Sequence, residues 1–124
     1  MATTDPVRAE YDYALIAFRN GQCDTADALL RQFVQKHPTD KLLADAIYYR
    51  GETLLQRGRH ADAAEQYLKV TTDFGQSARA PDAMLKLGLS LRQMGAKEQA
   101  CATFAEIARK HPRASSAIKG PSGR

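Results

Sequence analysis

The chain of 124 residues is 44% apolar, which suits one domain with its own core. Its longest apolar run, Tyr13 to Phe18, is six residues. A membrane-spanning helix needs about 20 apolar residues, so membrane insertion is not expected. The 21 alanines and 12 leucines, against seven valines and isoleucines together, favour helix over strand. The sequence therefore predicts an all-α domain.

The chain is mildly basic, with 18 Lys and Arg residues against 14 Asp and Glu, a net charge of +4. The basic residues are spread along the sequence in runs of no more than two, and most have an acidic neighbour within one helical turn. Proteins that follow a phosphate backbone usually collect their positive charge on one face. A nucleic-acid partner is therefore not expected.

Helix boundaries are marked by capping residues. Asp5 and Pro6 are typical of a helix start, Gly21 of a C-terminal cap, and His37 followed by Pro38 of a helix end. Between these marks the apolar residues recur every three or four positions, as on one face of a helix. The predicted helices cover residues 6–20, 24–36, 41–57, 61–73, 80–94 and 98–110.

The sequence repeats itself every 37 residues. The clearest recurring sets are Gly21/Gly58/Gly95, Ala26/Ala63/Ala100, Ala14/Gly51/Gly88, Leu30/Tyr67/Phe104 and Pro38/Gly75/Pro112. One helix pair cannot bury its apolar face alone, whereas a stack of pairs makes a continuous core. The repeat predicts an α-α superhelix, or solenoid, of three helix pairs. Small residues should let the two helices of a pair approach closely, and Leu30, Tyr67 and Phe104 should fill the space between successive units.

This pattern resembles the tetratricopeptide repeat. Ala14, Ala26 and Pro38 are evenly spaced along the first unit, at the separation found in that family. The unit departs from the family in being longer than its usual repeat of about 34 residues. It departs also in Gly75, which replaces the closing proline of the second unit. We expect one repeat domain over residues 6–119, with disordered ends. Its units are expected at 6–38, 41–75 and 80–112, and the disordered ends at 1–5 and 120–124.

A narrower resemblance covers residues 8–117. It is carried by the string from Ala80 to Leu91, by the run from Tyr48 to Glu52, by Gly95 with the run from Ala100 to Phe104, and by the closing pairs His37–Pro38, Phe74–Gly75 and His111–Pro112. These motifs are similar to the C-terminal repeat domain of the YbgF/CpoB family, the periplasmic cell division coordinators associated with the Tol–Pal system.

The resemblance to that family implies a periplasmic protein whose full-length form has an export signal and an N-terminal trimerising coiled coil. It also implies that the repeat domain contacts the envelope protein TolA. In this family the protein couples peptidoglycan synthesis to outer-membrane constriction during cell division. These properties are expectations from the resemblance alone.

Catalytic and metal-binding patterns are missing from the sequence. We find no glycine-rich phosphate loop, no His-Glu-x-x-His motif and no nucleophile elbow, so neither an enzyme activity nor a cofactor is expected. His37 and His111 occupy equivalent positions two whole units apart, and His60 falls in a predicted turn. Histidines separated in this way do not predict a metal site.

The two cysteines are expected to be free thiols. Cys23 and Cys101 fall in non-adjacent units, and a disulfide requires Cα atoms within about 7 Å. Cys101 stands between two alanines in a predicted buried stripe, so we expect it to be buried. Cys23 lies in the first turn between helices and is expected to be exposed.

The first helix of each unit should line the concave face of the superhelix, which we call the groove. The residues predicted to bind a partner there are Tyr11, Leu15, Phe18, Arg19, Tyr48, Glu52, Leu55, Leu85, Leu89 and Arg92. Most of them are apolar, which predicts binding of an amphipathic helix. Tyr48 is the predicted anchor, and Arg19, Glu52 and Arg92 are predicted to fix the partner's register at the rim.

Other binding modes lead to different expectations. Repeat domains that grip a terminal carboxylate use Lys and Asn in the groove, and the corresponding first-unit positions here hold Tyr11 and Leu15, which disfavours that mode. A scaffold subunit of another outer-membrane assembly is the alternative function; a lipid-anchoring cysteine after the signal peptide of the full gene would favour it. Self-association through the groove or the outer face of the helix at 98–110 is left open.

Overall fold

The computed structural model describes residues 5–111, and within them it contains six α-helices and no strand. The helices, each of 14 residues, are α1 (Pro6–Arg19), α2 (Cys23–Lys36), α3 (Leu43–Gln56), α4 (His60–Asp73), α5 (Ala80–Gln93) and α6 (Lys97–Lys110). The predicted all-α class is confirmed, and every predicted helix is present with its ends shifted by at most two residues. The expectations for residues 1–4 and 112–124 lie outside the described residues. Asp5, assigned to the disordered N-terminal end, caps α1 by accepting a hydrogen bond from the backbone N–H of Val7 at 3.0 Å.

Glycine ends the first helix of each unit. Gly21, Gly58 and Gly95 have φ of +75°, +76° and +83°, a conformation that residues with a side chain rarely adopt. After the first of them, the N–H of Gln22 donates to the carbonyl of Ala17 at 2.9 Å, and the same bond recurs in the other two turns. This hydrogen bond closes the helix end and reverses the chain within three residues.

The start of α3 differs most from its predicted position at residue 41. The side chain of Asp40 accepts a hydrogen bond from the N–H of Leu42 at 2.8 Å, which makes a separate turn before the helix begins at Leu43. The next unit has the same arrangement, with the Ser77 hydroxyl accepting from the N–H of Arg79 at 3.0 Å. A polar side chain that caps a turn looks, in the sequence, like one that caps a helix.

The helices pack in chain order, so that each contacts the helix before it and the helix after it, and α1 also contacts α3. Two apolar clusters follow this order. One joins α1 and α2 to the start of α3, and the other joins α3 and α4 to α5. The core therefore runs along a stack of three helix pairs, as an α-α superhelix requires.

The close approach within each pair is confirmed at the second and third units. A Cβ added to Gly51 would lie 2.8 Å from Cε1 of Tyr67, and one added to Gly88 would lie 2.5 Å from Cε1 of Phe104. Each large ring thus lies on the glycine of its own unit. Tyr67 also belongs to the apolar cluster that contains Ala83 and Leu87 of the next unit, so its ring packs within its own unit as well as at the predicted junction.

Gly51→Leu should lower the free energy of unfolding by about 1 to 3 kcal/mol, because the new side chain must displace a fully buried ring. Gly88→Leu is the matched control. It should cost less, since Phe104 at the end of the stack is only half-buried and its ring can move. Urea unfolding followed by circular dichroism measures both losses. A Gly51→Leu variant as stable as the wild type would contradict the close packing.

Because three tyrosines are buried, we expect the free energy of unfolding to fall at high pH. Burial raises the pKa of Tyr11 to about 12, and burial likewise raises the pKa of Tyr48 and of Tyr67 above the ordinary value of 10.0. A group whose pKa is raised on folding contributes stability that is complete below its unfolded pKa and lost as the pH passes its folded pKa. For Tyr11 that window runs from about pH 10 to about pH 12. We expect the urea midpoint to fall across this window and to fall less in Tyr11→Phe; a constant midpoint would contradict the burial.

Candidate protein-binding groove

Contacts between units bring the three first helices side by side. The ring of Phe18 in α1 lies edge-on to Tyr49 in α3, with centroids 5.5 Å apart. Between α3 and α5, Lys86 Nζ lies 3.4 Å from Glu52 Oε1. All ten residues predicted to bind a partner lie on α1, α3 and α5, so the stacking places them on one continuous part of the molecule.

Three of the ten predicted binding residues belong to the core. Tyr11 and Leu15 are buried in the first apolar cluster. Tyr48 is only 5% exposed, and its ring packs against the rings of Tyr49 and Tyr67 with centroids 5.3 and 5.8 Å apart. The prediction that these three side chains are uncovered is wrong, because the neighbouring helices and connections cover the middle of each first helix.

Glu52 is engaged inside the protein rather than free at the rim. Its carboxylate accepts a hydrogen bond from the Tyr67 hydroxyl at 2.6 Å and pairs with Lys86, and its side chain is 17% exposed. These contacts tie α3 to its partner helix α4 and to the next unit at α5. Glu52 was predicted to pair with a charge of the binding partner, but its carboxylate is already paired with groups of this chain.

Arg79, which stands just before α5, is a structural residue that the sequence did not single out. Its Nε donates to Asp45 Oδ1 at 3.1 Å, and its Cζ lies 5.2 and 4.9 Å from the ring centroids of Tyr48 and Tyr49. A guanidinium in this position gains from the ring faces and from the carboxylate together. Asp45 and Arg79 are separated by the same number of residues as Glu52 and Lys86. This repeated spacing of an acidic and a basic residue is the signal that could have identified Arg79.

A second ion-pair cluster joins the first two units on α2 and α3. Asp27 is buried, and its carboxylate accepts hydrogen bonds from Arg50 Nε and from an Nη of Arg31, each at 3.0 Å. A buried carboxylate needs such partners, because an unpaired charge in the interior is costly. The sequence did not single out Asp27, since its burial depends on the following unit.

The remaining predicted residues form the accessible surface of the groove. Four apolar side chains on the three first helices, Phe18, Leu55, Leu85 and Leu89, are half-buried, and Leu55 packs against the apolar cluster of α3, α4 and α5. Arg19 and Arg92 occupy the last turns of α1 and α5, and neither makes an ion pair with another of the described residues. The groove is thus an apolar surface with two cations available to a ligand.

The exposure of the two cysteines is the reverse of that predicted. Both are free thiols, but Cys101 is exposed and Cys23 is half-buried, with its Sγ 3.4 Å from Gln56 Oε1. Cys101 is equivalent to Ala64, which the following unit covers, whereas no helix follows α6 in the part of the chain that the structure describes. The small residues around this position indicate burial in the interior of the stack, as at Ala64, but not at Cys101 on the last described helix.

Thiol titration of the folded protein should therefore label Cys101 quickly and Cys23 more slowly, because Cys23 is partly covered and hydrogen-bonded. A Cys23→Ser variant should keep the fast phase, and Cys101→Ser should keep the slow one. Protection of Cys101 until the protein unfolds would contradict its observed exposure.

Metal-binding and membrane-spanning features are absent from residues 5–111. Within that range no group of three or more His, Cys, Asp or Glu side chains could hold a metal ion. None of the helices described there is long and apolar enough to cross a membrane.

Stacked helix pairs with an apolar surface across their first helices define a helical-repeat protein suited to protein binding. Tetratricopeptide repeat models match residues 11–78, more than half of the chain, and residues 82–114. The chain belongs to the tetratricopeptide repeat family, whose members are typically non-enzymatic scaffolds that mediate protein–protein interactions. A search of curated protein sequences found no significant match.

Proposed function

We propose that this protein is a periplasmic interaction module of the Tol–Pal system that binds a helical segment of the envelope protein TolA in its groove. By this binding it coordinates peptidoglycan synthesis with outer-membrane constriction during cell division. The observation that carries the binding proposal is a set of apolar side chains on α1, α3 and α5 that each keep part of their surface exposed, namely Phe18, Leu55, Leu85 and Leu89. The motifs from Ala80 to Leu91 and from Tyr48 to Glu52 support the assignment to this system.

The groove suits an amphipathic helix with an acidic border. The apolar stripe of such a helix would contact Phe18, Leu55 and Leu89, which the stack presents from three successive units. Carboxylates beside the stripe would meet Arg19 and Arg92, the groove cations that are not already paired among the described residues. Apolar contact supplies most of the affinity in this mode of recognition, and the rim charges mainly set orientation and association rate.

The groove is a rigid platform because two ion pairs join the helices that form it in the second and third units. Arg79 ties α5 to Asp45, and Lys86 ties α5 to Glu52, at two points along the same pair of helices. Fixing these helices in advance lowers the entropy that a partner must lose on binding. In the full-length protein we propose that a trimerising coiled coil presents three such grooves, which raises the effective affinity for a multivalent partner.

The proposal is tested by titrating the purified protein with the purified helical segment of TolA in a calorimeter. We expect saturable binding with one segment for each repeat domain. The control is a segment of the same composition whose apolar residues are rearranged so that they no longer form a stripe, and it should not bind. Equal binding of the two segments, or no heat of binding from either at two well-separated temperatures, would refute the proposal.

A further inference from the structure

Because the three units are equivalent, the burial of a position in one unit can be compared with the burial of the same position in the others. At the junction of the first two units, Asp27 of α2 accepts a hydrogen bond from Arg50 of α3 at 3.0 Å. At the next junction the equivalent residues are Ala64 and Leu87, which are both buried in one apolar cluster. The same two positions of the repeat unit therefore lie in the junction each time that one unit packs on the next.

On the outer side of α1, the residues at these junction positions are exposed, because no described unit precedes α1. Tyr13 is equivalent to Arg50 and to the buried Leu87, yet its side chain is 66% exposed. Ile16 is equivalent to the fully buried Thr53 and is 52% exposed. We call Tyr13 and Ile16 the leading face. Large apolar side chains stand here at positions that the preceding unit covers elsewhere in the stack.

The outer side of α6 carries the other half of this junction. Cys101 is equivalent to Asp27 and Ala64, which are buried, and it is exposed. Phe104 is equivalent to the fully buried Tyr67 and is half-buried. We call Cys101 and Phe104 the trailing face. Both of its side chains are ones that a following unit would cover.

We infer that the leading face of one copy of this chain packs on the trailing face of a second copy, so that Tyr13 meets Cys101 as Arg50 meets Asp27. A second copy is the occupant that fits, because the two faces are the complementary halves of a junction that the chain already builds twice. The contact is head to tail, so it continues the superhelix from copy to copy rather than closing as a two-fold dimer. It uses neither the groove nor the proposed partner.

The test is sedimentation of the purified protein over a range of concentrations, with a reductant present to prevent disulfides. The average mass of the wild type should rise with concentration. Tyr13→Arg or Cys101→Asp alone should weaken the association at least tenfold, because each places a charge against an apolar side chain. Both positions are exposed, and circular dichroism should show that both variants keep the wild-type helix content.

The double variant Tyr13→Arg with Cys101→Asp is the decisive arm. It recreates the Arg50–Asp27 pair across the contact, so association should recover at least tenfold relative to either single variant. Leu68→Asp is the matched control, because Leu68 is 49% exposed on α4 and lies in neither face. Its association should equal that of the wild type.

Three results would overturn the inference. One is a wild type that stays monomeric up to about millimolar concentration. Another is an association that Cys101→Asp abolishes and Tyr13→Arg leaves intact, which would indicate that something other than the leading face contacts α6. The third is a double variant that fails to recover. Because TolA is absent from every arm, none of these results bears on the proposed function.

Discussion

Tyr67→Ala should lower the free energy of unfolding by about 3 to 5 kcal/mol, the range expected when a buried aromatic ring is removed. Tyr67 is fully buried, and its ring fills the hollow over Gly51 at the centre of the stack. Its loss leaves a cavity and also removes the hydroxyl that donates to Glu52. Urea unfolding followed by circular dichroism measures the change.

Tyr67→Phe is the matched control for this prediction. It keeps the ring and removes only the hydrogen bond to the Glu52 carboxylate, so its cost should be about 1.5 to 3 kcal/mol, less than that of the alanine variant. If alanine and phenylalanine at this position cost the same, the ring would not be a central element of the core.

Leu89→Asp should weaken binding of the TolA segment at least thirtyfold, or about 2 kcal/mol, while the protein stays folded. Leu89 is half-buried on α5, and in the proposed mode of binding its exposed part contacts the partner. A carboxylate there would lie against the apolar stripe of the partner and lose part of its hydration. Calorimetric titration measures the affinity, and circular dichroism checks the fold.

Two variants accompany the Leu89→Asp measurement. Lys110→Ala, at the end of α6 and away from the groove, should leave the affinity unchanged. Arg92→Ala should mainly slow association, because an exposed charge at a rim acts on the approach of the partner. If Leu89→Asp bound as tightly as the wild type, the partner would not occupy the groove.

Much of the fold could be predicted because its signals are local and repeated. Gly21 and its two equivalents mark turns that require positive φ, and Gly51 and Gly88 mark close approach, so each feature depends on the chemistry of one or two residues. With three copies at a fixed spacing, each such signal supports the others. The stacking of helix pairs then follows from the need to bury the apolar face of each unit.

The predicted site was less accurate because burial depends on contacts from other units. Tyr48 was predicted to be a binding anchor, but Arg79 and the neighbouring rings cover it, and Tyr48→Ala is therefore expected to destabilise the fold. Cys101 has the surroundings of a buried residue but lies on the last described helix. A pattern of residues on one helix identifies its apolar face and does not say how far the next helix covers it.

The groove is the proposed binding site for the partner, rather than the basic surface, by which we mean the exposed Lys and Arg residues spread over the rest of the molecule. The most direct test is the affinity of the TolA segment for the wild type and for Leu85→Asp with Leu89→Asp, each measured at low and at high salt. We expect the wild-type affinity to change only a few-fold with salt and the double variant to lose binding under both conditions. If the double variant bound like the wild type and salt abolished binding by both, the basic surface would be the binding site and the groove proposal would be wrong.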